Sequence, residues 1–406
     1  MRLLFVHHGF PGQYIHLAKH YAARPENKVV GVGDKANLLR QKLQMPGVEL
    51  LGYDTPRPET SRGNTYDGHV LQAITTGRVV AHGAEKLKQS GFRPDVVLAH
   101  IGWGGAAFLK EIFPEAPLLL YCEFFYRAQG ADTGFDPEFP KREGALGART
   151  INAPLLMALD ASDHGVTPTK WQHRQFPSVY RPHISVVHDG IDTDVACPAP
   201  DAGDEEIVTY VARNLEPYRG FHVFMRAIPE IQRRRPAAKI VIVGADSVSY
   251  SPPPPPGETY RSRLLRELDG KIDLSRVFFR GTIPYPEYLA LLRRSSVHVY
   301  LTYPFVLSWS LLEAMSAGCL VVGSRTPPVQ EVITHGKNGL LVDFHDPGEL
   351  AARVDEALRA KAKLKRLRNA ARRTVVDRYD LKRVCLPAQV RLVRDLAAGR
   401  LRPASS

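Results

Sequence analysis

Short, uninterrupted apolar runs alternate with longer stretches of helical pattern along almost the whole chain. Residues 3–6, 29–32, 96–99 and 118–122 show no polar alternation, as expected of parallel strands covered on both faces by helices. Helices are predicted over 78–90 and 106–113, and a further strand over 184–188 runs into Asp189-Gly190-Ile191-Asp192. A polar, proline-containing passage follows at 197–206, with the composition of an inter-domain linker. The alternation then restarts, with strands predicted over 207–211, 240–243, 277–280, 297–301 and 320–324, and helices over 221–234, 285–294 and 310–316. Two successive α/β series predict two doubly wound, Rossmann-like domains facing across a cleft, the first over 1–200 and the second over 205–384.

Composition agrees with two cores. The chain has 406 residues, 44% of them hydrophobic, and single cores stop growing near ~250–300 residues. Disorder as the main state is excluded by that apolar content. No uninterrupted stretch of about 18 apolar residues, the length that spans a membrane, occurs in the chain, and Met1-Arg2-Leu3-Leu4-Phe5-Val6 runs straight into His7-His8, which reads as a first strand and not as a secretory signal. Fifty-four Lys and Arg against 42 Asp and Glu leave +12, a balance that favours anionic partners without choosing among nucleic acid, a membrane face and phosphorylated small molecules. The four cysteines are dispersed, with no C-x-x-C pair, so a reducing cytoplasm is the expected compartment. Two segments stand apart. Residues 251–257, Ser-Pro-Pro-Pro-Pro-Pro-Gly, predict a stiff surface loop, and residues 359–373 predict a strongly basic helix, read as a solvated face or as a contact with an anionic surface.

The chemistry concentrates in the second series. In Val211-Ala212-Arg213-Asn214-Leu215-Glu216-Pro217-Tyr218-Arg219-Gly220, two arginines follow that domain's first strand, at the carboxyl edge where open α/β sheets bind ligands. Two guanidiniums there suit a diphosphate and the charge it gains on leaving; alone, they would read as two surface arginines in a loop. Downstream, Pro304-Phe305-Val306-Leu307-Ser308-Trp309-Ser310-Leu311-Leu312-Glu313 places a small-residue turn and a helix start after the strand at 297–301. A helix start offers free amides and a positive dipole end to an anion. Glu313 then reads as an acceptor for a ribose diol, or as an acid favoured by the dipole.

Taken in order, these motifs resemble the family-four retaining glycosyltransferases of the GT-B class. The resemblance rests on Arg213, a basic residue before Gly220, Gly281-Thr282-Ile283-Pro284, Leu312-Glu313-Ala314-Met315-Ser316-Ala317-Gly318, Glu331-Val332-Ile333 and Gly336-Lys337-Asn338-Gly339-Leu340-Leu341-Val342. It covers residues 205–385 strongly and the first domain more loosely, through Gly12, residues 95–100 and Asp189-Gly190-Ile191-Asp192. It implies transfer of a sugar from a nucleotide diphosphate, with retained configuration, to a glycan, lipid-linked or small-molecule acceptor bound by the first domain. Arg213 and Arg219 would hold the diphosphate, Arg219 standing where the family has lysine. Glu313 would bind the ribose, the amides around Leu307, Ser308 and Trp309 would face sugar and phosphate, Gly281 to Pro284 with Ile283 would border the base, and Gly12 would face the diphosphate or acceptor. The C-terminal helix, about 385–406, would cross back onto the first domain. No metal and no separate cofactor are expected, and an exopolysaccharide or lipid-linked acceptor at the cytoplasmic face of a membrane fits family habit and basic charge. Two positions depart from the family. Phe305 stands eight residues before Glu313, where the family has a glutamate, and Glu123 follows the strand at 118–122, where it has a histidine. Glu123 could stabilise positive charge at the anomeric carbon or orient an acceptor hydroxyl; otherwise it is a strand-end acid paired with Arg127 or another basic neighbour.

Other patterns point elsewhere. His7, His8 and His100 read as polar strand-end residues. Asp192-Thr193-Asp194 is formally a D-x-D, with no second metal-binding feature in support. Gly102-Trp103-Gly104-Gly105-Ala106-Ala107 fits the dinucleotide fingerprint and would suit an NAD(P)-dependent oxidoreductase. The net charge would suit a non-catalytic RNA- or membrane-binding protein, although no nucleic-acid module is visible. A sugar-nucleotide epimerase, needing no acceptor, is a nearer alternative.

Overall fold

The computed structural model describes residues 1–56, 66–140, 144–199 and 205–401. The chain divides into two compact units, one of Met1–Gln129, Arg142–Asp189 and Lys382–Ser406, the other of Gly130–Lys141 and Gly190–Leu381. Among the described residues, the first unit holds β1 (Arg2–Val6), β2 (Lys28–Asp34), β3 (Val48–Tyr53), β4 (Val96–His100), β5 (Leu118–Tyr121), β6 (His164–Thr167) and β7 (Ile184–Val186) in the order β3-β2-β1-β4-β5-β6-β7. The second holds β8 (Ile207–Asn214), β9 (Lys239–Ala245), β10 (Val277–Phe279), β11 (Val297–Tyr300), β12 (Leu320–Ser324) and β13 (Leu340–Val342) in the order β10-β9-β8-β11-β12-β13. Every ladder in both sheets is parallel.

The polar-free strands are explained by burial on two sides. Along β1, Leu4 and Val6 belong to one core cluster while Leu3 and Phe5 belong to another, because successive side chains leave opposite faces of a strand. The Leu3 and Phe5 face is covered by helix Ile15–Ala22 and by helix Leu386–Ala397, whose Val390, Leu392, Val393 and Leu396 pack into the same cluster. In the second unit, Leu311, Leu312, Ala314 and Met315 of helix Trp309–Ser316 pack with Val321, Leu341 and Val375.

Several expected boundaries shift. The helix expected from residue 78 begins at Tyr66 and runs to Gln89. Gly77 within it is a close-approach residue and not a helix break, since a Cβ there would meet the Gly104 carbonyl oxygen at 2.7 Å. The helix expected over 106–113 shrinks to Leu109–Ile112. β8 runs three residues past its expected end, with a register shift between Val211 and Asn214. The C-terminal helix starts with a π-turn at Leu381–Cys385 and restarts at Leu386, where a proline occupies the first turn. Residues 200–204 of the expected linker lie outside the described residues.

The basic helix is seen as Lys361–Tyr379. Arg368 donates to the Gly318 carbonyl, and Arg372 donates to the Ser316 carbonyl at 2.7 Å. Two of its cations thus cap the carboxyl end of helix Trp309–Ser316; the side chains of Lys361 and Lys363 lie outside the described residues. The proline run forms a largely exposed loop, as expected, with its Pro252 carbonyl accepting from Tyr260 at 2.6 Å. Among the described residues, no helix is long and apolar enough to cross a membrane.

Candidate active site

In a parallel sheet wound in both directions from a central pair, the loops leaving that pair splay apart and open a crevice. The second sheet reverses between β8 and β11. Arg213 is the penultimate residue of β8; it is exposed and makes no side-chain hydrogen bond or ion pair among the described residues. Arg219 lies in the turn Pro217–Arg219 that follows. Its Nη1 donates to Thr302 Oγ1 at 2.9 Å and to the Val306 carbonyl at 3.0 Å, so this guanidinium ties the loop after β8 to the loop after β11. Gly220, at φ +67, makes that approach possible, because a Cβ would lie 2.4 Å from Leu301 Cβ.

Glu216 holds the turn from below. Its side chain is buried, and one oxygen, Oε2, accepts the backbone N–H groups of Ser249, Tyr250 and Ser251 at 3.1, 3.0 and 2.9 Å. Ser251 Oγ in turn accepts the Tyr218 N–H at 3.2 Å. Around this turn the aromatic rings close: Tyr218 stacks on Tyr303 with centroids 4.5 Å apart, and buried Phe305 meets Tyr218 edge-on at 5.5 Å. The position where the family has a glutamate is therefore a packed ring.

After β11, Ser308 caps helix Trp309–Ser316: its N–H donates to the Tyr300 hydroxyl at 2.8 Å, and its Oγ accepts the Ser310 N–H at 3.4 Å. Leu307 is buried, while Trp309 at the first helical position is partly exposed. Glu313 is half-buried, and both of its oxygens are engaged, Oε1 by the Tyr285 hydroxyl at 2.8 Å and Oε2 by the Tyr288 hydroxyl at 2.9 Å. Burial pushes its pKa up, against the lowering effect of the two phenols. Ile283 is half-buried against the same core, and Gly281, at φ +61, has open space beside it but a backbone conformation that favours glycine.

The first sheet reverses between β1 and β4. Each strand delivers a histidine followed, two residues on, by a glycine. The Gly9 N–H donates to His7 Nδ1 at 2.9 Å and the Gly102 N–H donates to His100 Nδ1 at 2.9 Å. Both imidazoles therefore carry their proton on Nε2 when neutral. His7 Nε2 donates to Gln13 Oε1 at 2.8 Å, Gln13 Nε2 donates to Glu123 Oε1 at 2.8 Å, and His100 Nε2 lies 3.5 Å from Glu123 Oε2. The sequence suggested Arg127 as a partner for Glu123; Arg127 instead donates to the Phe176 carbonyl, and it is Gln13 that holds the carboxylate. Gly12 opens the short turn that carries Gln13, and a Cβ on it would run into the His7 ring.

The structure thus gathers Arg213, Arg219, Leu307, Ser308, Trp309 and Glu313 at the carboxyl ends of the two strands flanking one reversal and in the segments that follow them, and Gly12, Glu123, His7 and His100 around the other. Glu216, Thr302, Gln13 and the two tyrosines were not anticipated. Tyr285 and Tyr288 left one signal, a spacing of three on a predicted helix, which puts them on one face. The D-x-D residues serve local structure: Asp192 Oδ1 accepts the Asp194 N–H at 3.2 Å, and Thr193 donates to buried Asp380.

Residues 25–196 match the glycosyl transferase family 4 group, and residues 198–374 match the glycosyl transferases group 1. The chain belongs to the group 1 glycosyltransferases. Among curated relatives, glycogen synthase of Mycobacterium tuberculosis is 26% identical over 319 residues, 76% of this chain and 71% of that one. A D-inositol 3-phosphate glycosyltransferase of Acidothermus cellulolyticus is 29% identical over 235 residues, covering 53% of this chain and 50% of its own. Among solved structures, sucrose-phosphate synthase from Thermosynechococcus elongatus superimposes with TM-score 0.70 at 15% identity, over 98% of this chain and 100% of that one. HepE from Anabaena, in complex with UDP, gives 0.67 at 15% identity, over 97% and 100%. Such likenesses give this glycosyltransferase the GT-B fold of two parallel-sheet domains. The Gly102–Ala107 fingerprint is accordingly not a dinucleotide loop; its Gly104 and Gly105 pack the turn after β4 against Ala73 and Val80 of helix Tyr66–Gln89.

Proposed function

We propose that this glycosyltransferase moves a sugar from a nucleotide diphosphate to an acceptor hydroxyl with retention at the anomeric carbon, without requiring a metal. The observation that carries the reading is the edge of the second sheet: an exposed Arg213, unpaired among the described residues, beside an Arg219 whose guanidinium is held by Thr302 and Val306. Preorganised guanidiniums stabilise charge that appears on a leaving diphosphate without reorganising at the moment of reaction. The amino end of helix Trp309–Ser316 adds its dipole, and the Glu313 carboxylate is held where a ribose diol would compete for its lone pairs. In this reading the leaving oxygen takes up the acceptor proton on the same face, and Glu123 stabilises positive charge at the anomeric carbon or orients the acceptor. That HepE was solved with UDP and with UDP-glucose supports a nucleotide-sugar donor, and the curated relatives' names support a glycan or polyol phosphate as acceptor.

A thermal-shift screen with UDP-, GDP-, ADP- and TDP-sugars tests this directly. One base should raise the unfolding midpoint by several degrees at saturating ligand, since ligand at about 100 times Kd adds ~2.7 kcal/mol. No shift with any of the four would end the reading.

A further inference from the structure

The turn Gly102–Gly104 after β4 fits the dinucleotide fingerprint in sequence but serves no such role, and it carries an unusual residue. Trp103 adopts φ +60, ψ 4 in a region that few residues other than glycine enter. The turn is wedged there. A Cβ on Gly104, at φ +81, would lie 1.9 Å from the Ala73 carbonyl oxygen, so helix Tyr66–Gln89 presses directly on its backbone. The indole is consequently set out at the carboxyl edge of the first sheet, beside the reversal between β1 and β4.

Imidazole rings pack around it. His8 stacks at 5.6 Å with planes 24° apart, His100 lies tilted at 4.6 Å and His7 at 5.3 Å. Despite three ring contacts the residue is 47% exposed, so a large part of the aromatic surface is left for a partner. Burial lowers the pKa of His8, which keeps the stacking imidazole neutral near pH 7. Close by stand hydrogen-bonding groups of both kinds, the Gln13–Glu123 pair and the His8–Tyr53 pair, the latter at 3.2 Å.

We propose that Trp103 is the stacking platform for a pyranose ring of the acceptor, with the Gln13–Glu123 pair addressing its hydroxyl groups. A pyranose has one face of C–H groups and a rim of hydroxyls, the surface that a fixed indole bordered by amide, carboxylate and neutral imidazole complements. The assignment of this ring to the acceptor rests on the transferase reading above; the platform itself rests on the geometry of the first unit alone.

The test uses the full chain and saturation-transfer NMR with methyl glucopyranosides, mannopyranosides and galactopyranosides. At least one should receive saturation on the C–H protons of a single face. Trp103→Gly should weaken that glycoside about tenfold, while Trp103→Phe should retain an intermediate affinity. Glycine suits φ +60 better than any other residue, so the first variant keeps its unfolding midpoint and the loss is one of binding. Equal affinity in Trp103→Gly, or no response from any glycoside, would each overturn the platform. The transferase reading fails by a different measurement, the absence of nucleotide-sugar binding, so the two are separable.

Discussion

The two sheets reverse strand order in the same way and expose their carboxyl edges in the same way, yet the groups they present there differ in kind. At the first edge, two His-x-Gly turns hold imidazoles, one of which donates from Nε2 to Gln13, itself a donor to Glu123, while the other places Nε2 3.5 Å from the same carboxylate. At the second, a guanidinium spans the reversal, a second one stands unpaired among the described residues, and the carboxylate is satisfied by phenols. On the function proposed above, topology decides where each unit binds, and side chains decide what. The first edge matches hydroxyl groups, which both donate and accept; the second matches an anion, which only accepts.

The sharpest way to break this contrast is to remove cations from the second edge. Arg213→Ala and Arg219→Ala should each lower transfer by about 10²–10³-fold with the fold intact, the size seen when one preorganised donor to a developing charge is lost. Arg219→Lys should recover part of that loss only. An ammonium carries the charge but lacks the planar, five-donor guanidinium that can bond Thr302 and Val306 through one nitrogen and leave its other donors for an anion. Parent-like turnover in Arg219→Lys would show that bridging the two loops is irrelevant.

At the first edge, Glu123→Gln should reduce kcat about 10²-fold, at the low end for a positioned charged group, and leave the KM for donor within about twofold, since the diphosphate contacts are assigned to the other unit. A rise in donor KM without a fall in kcat would move Glu123 from charge stabilisation to simple donor binding and blur the division of labour.

How far this division is legible in the chain depends on the range of the interactions. Strands whose faces are both covered need no polar positions, so 3–6, 96–99 and 320–324 announce themselves, and the structure places β1, β4 and β12 within a residue of them. Arg213 and Glu313 carried a recognisable pattern. Glu216 did not, because a carboxylate receiving three amides from residues more than thirty positions away looks like any loop acid. The Gln13–Glu123 bond, 110 residues apart in sequence, was equally silent. So was the excursion at residues 130–140, which leaves the first unit's sequence and packs with the second: Asp132 accepts from the Tyr218 hydroxyl at 2.6 Å and Asp136 from the Tyr303 hydroxyl at 2.7 Å.

That excursion sharpens the comparison, because it braces the aromatic pair beside Arg219 with acids that lie far away in sequence. Asp136 is buried, which by itself would raise its pKa, but hydrogen bonds from His222 and Tyr303 outweigh burial and hold it down to about 2. A carboxylate depressed below its unfolded value near ~3.9 stabilises the fold above that pH, and the contribution disappears as pH falls toward about 2. Asp136→Asn should therefore cost about 2 kcal/mol at pH 7, and the gap from the parent should close between about pH 4 and 2 in chemical denaturation. A gap independent of pH across that window would show that the ionised form contributes nothing.

The smallest expected effect separates Glu313 as a ligand from Glu313 as a helix-start acid. Its pKa is raised by burial and opposed by the hydroxyls of Tyr285 and Tyr288. Tyr288→Phe removes one opposing bond and leaves burial less countered, so the carboxyl group takes up its proton at a higher pH than in the parent. If the ionised carboxylate accepts from a ribose diol, donor KM should rise a few-fold, the scale of one hydrogen bond at ~0.5–1.5 kcal/mol, and its increase on acidification should set in at a higher pH than the parent's. The first edge supplies the control, since glycoside binding at Trp103 does not draw on Glu313 and should show no such slope. If donor KM in Tyr288→Phe follows the parent's pH profile, the carboxylate does not meet the nucleotide, and anion recognition at the second edge reduces to the arginines and the helix end.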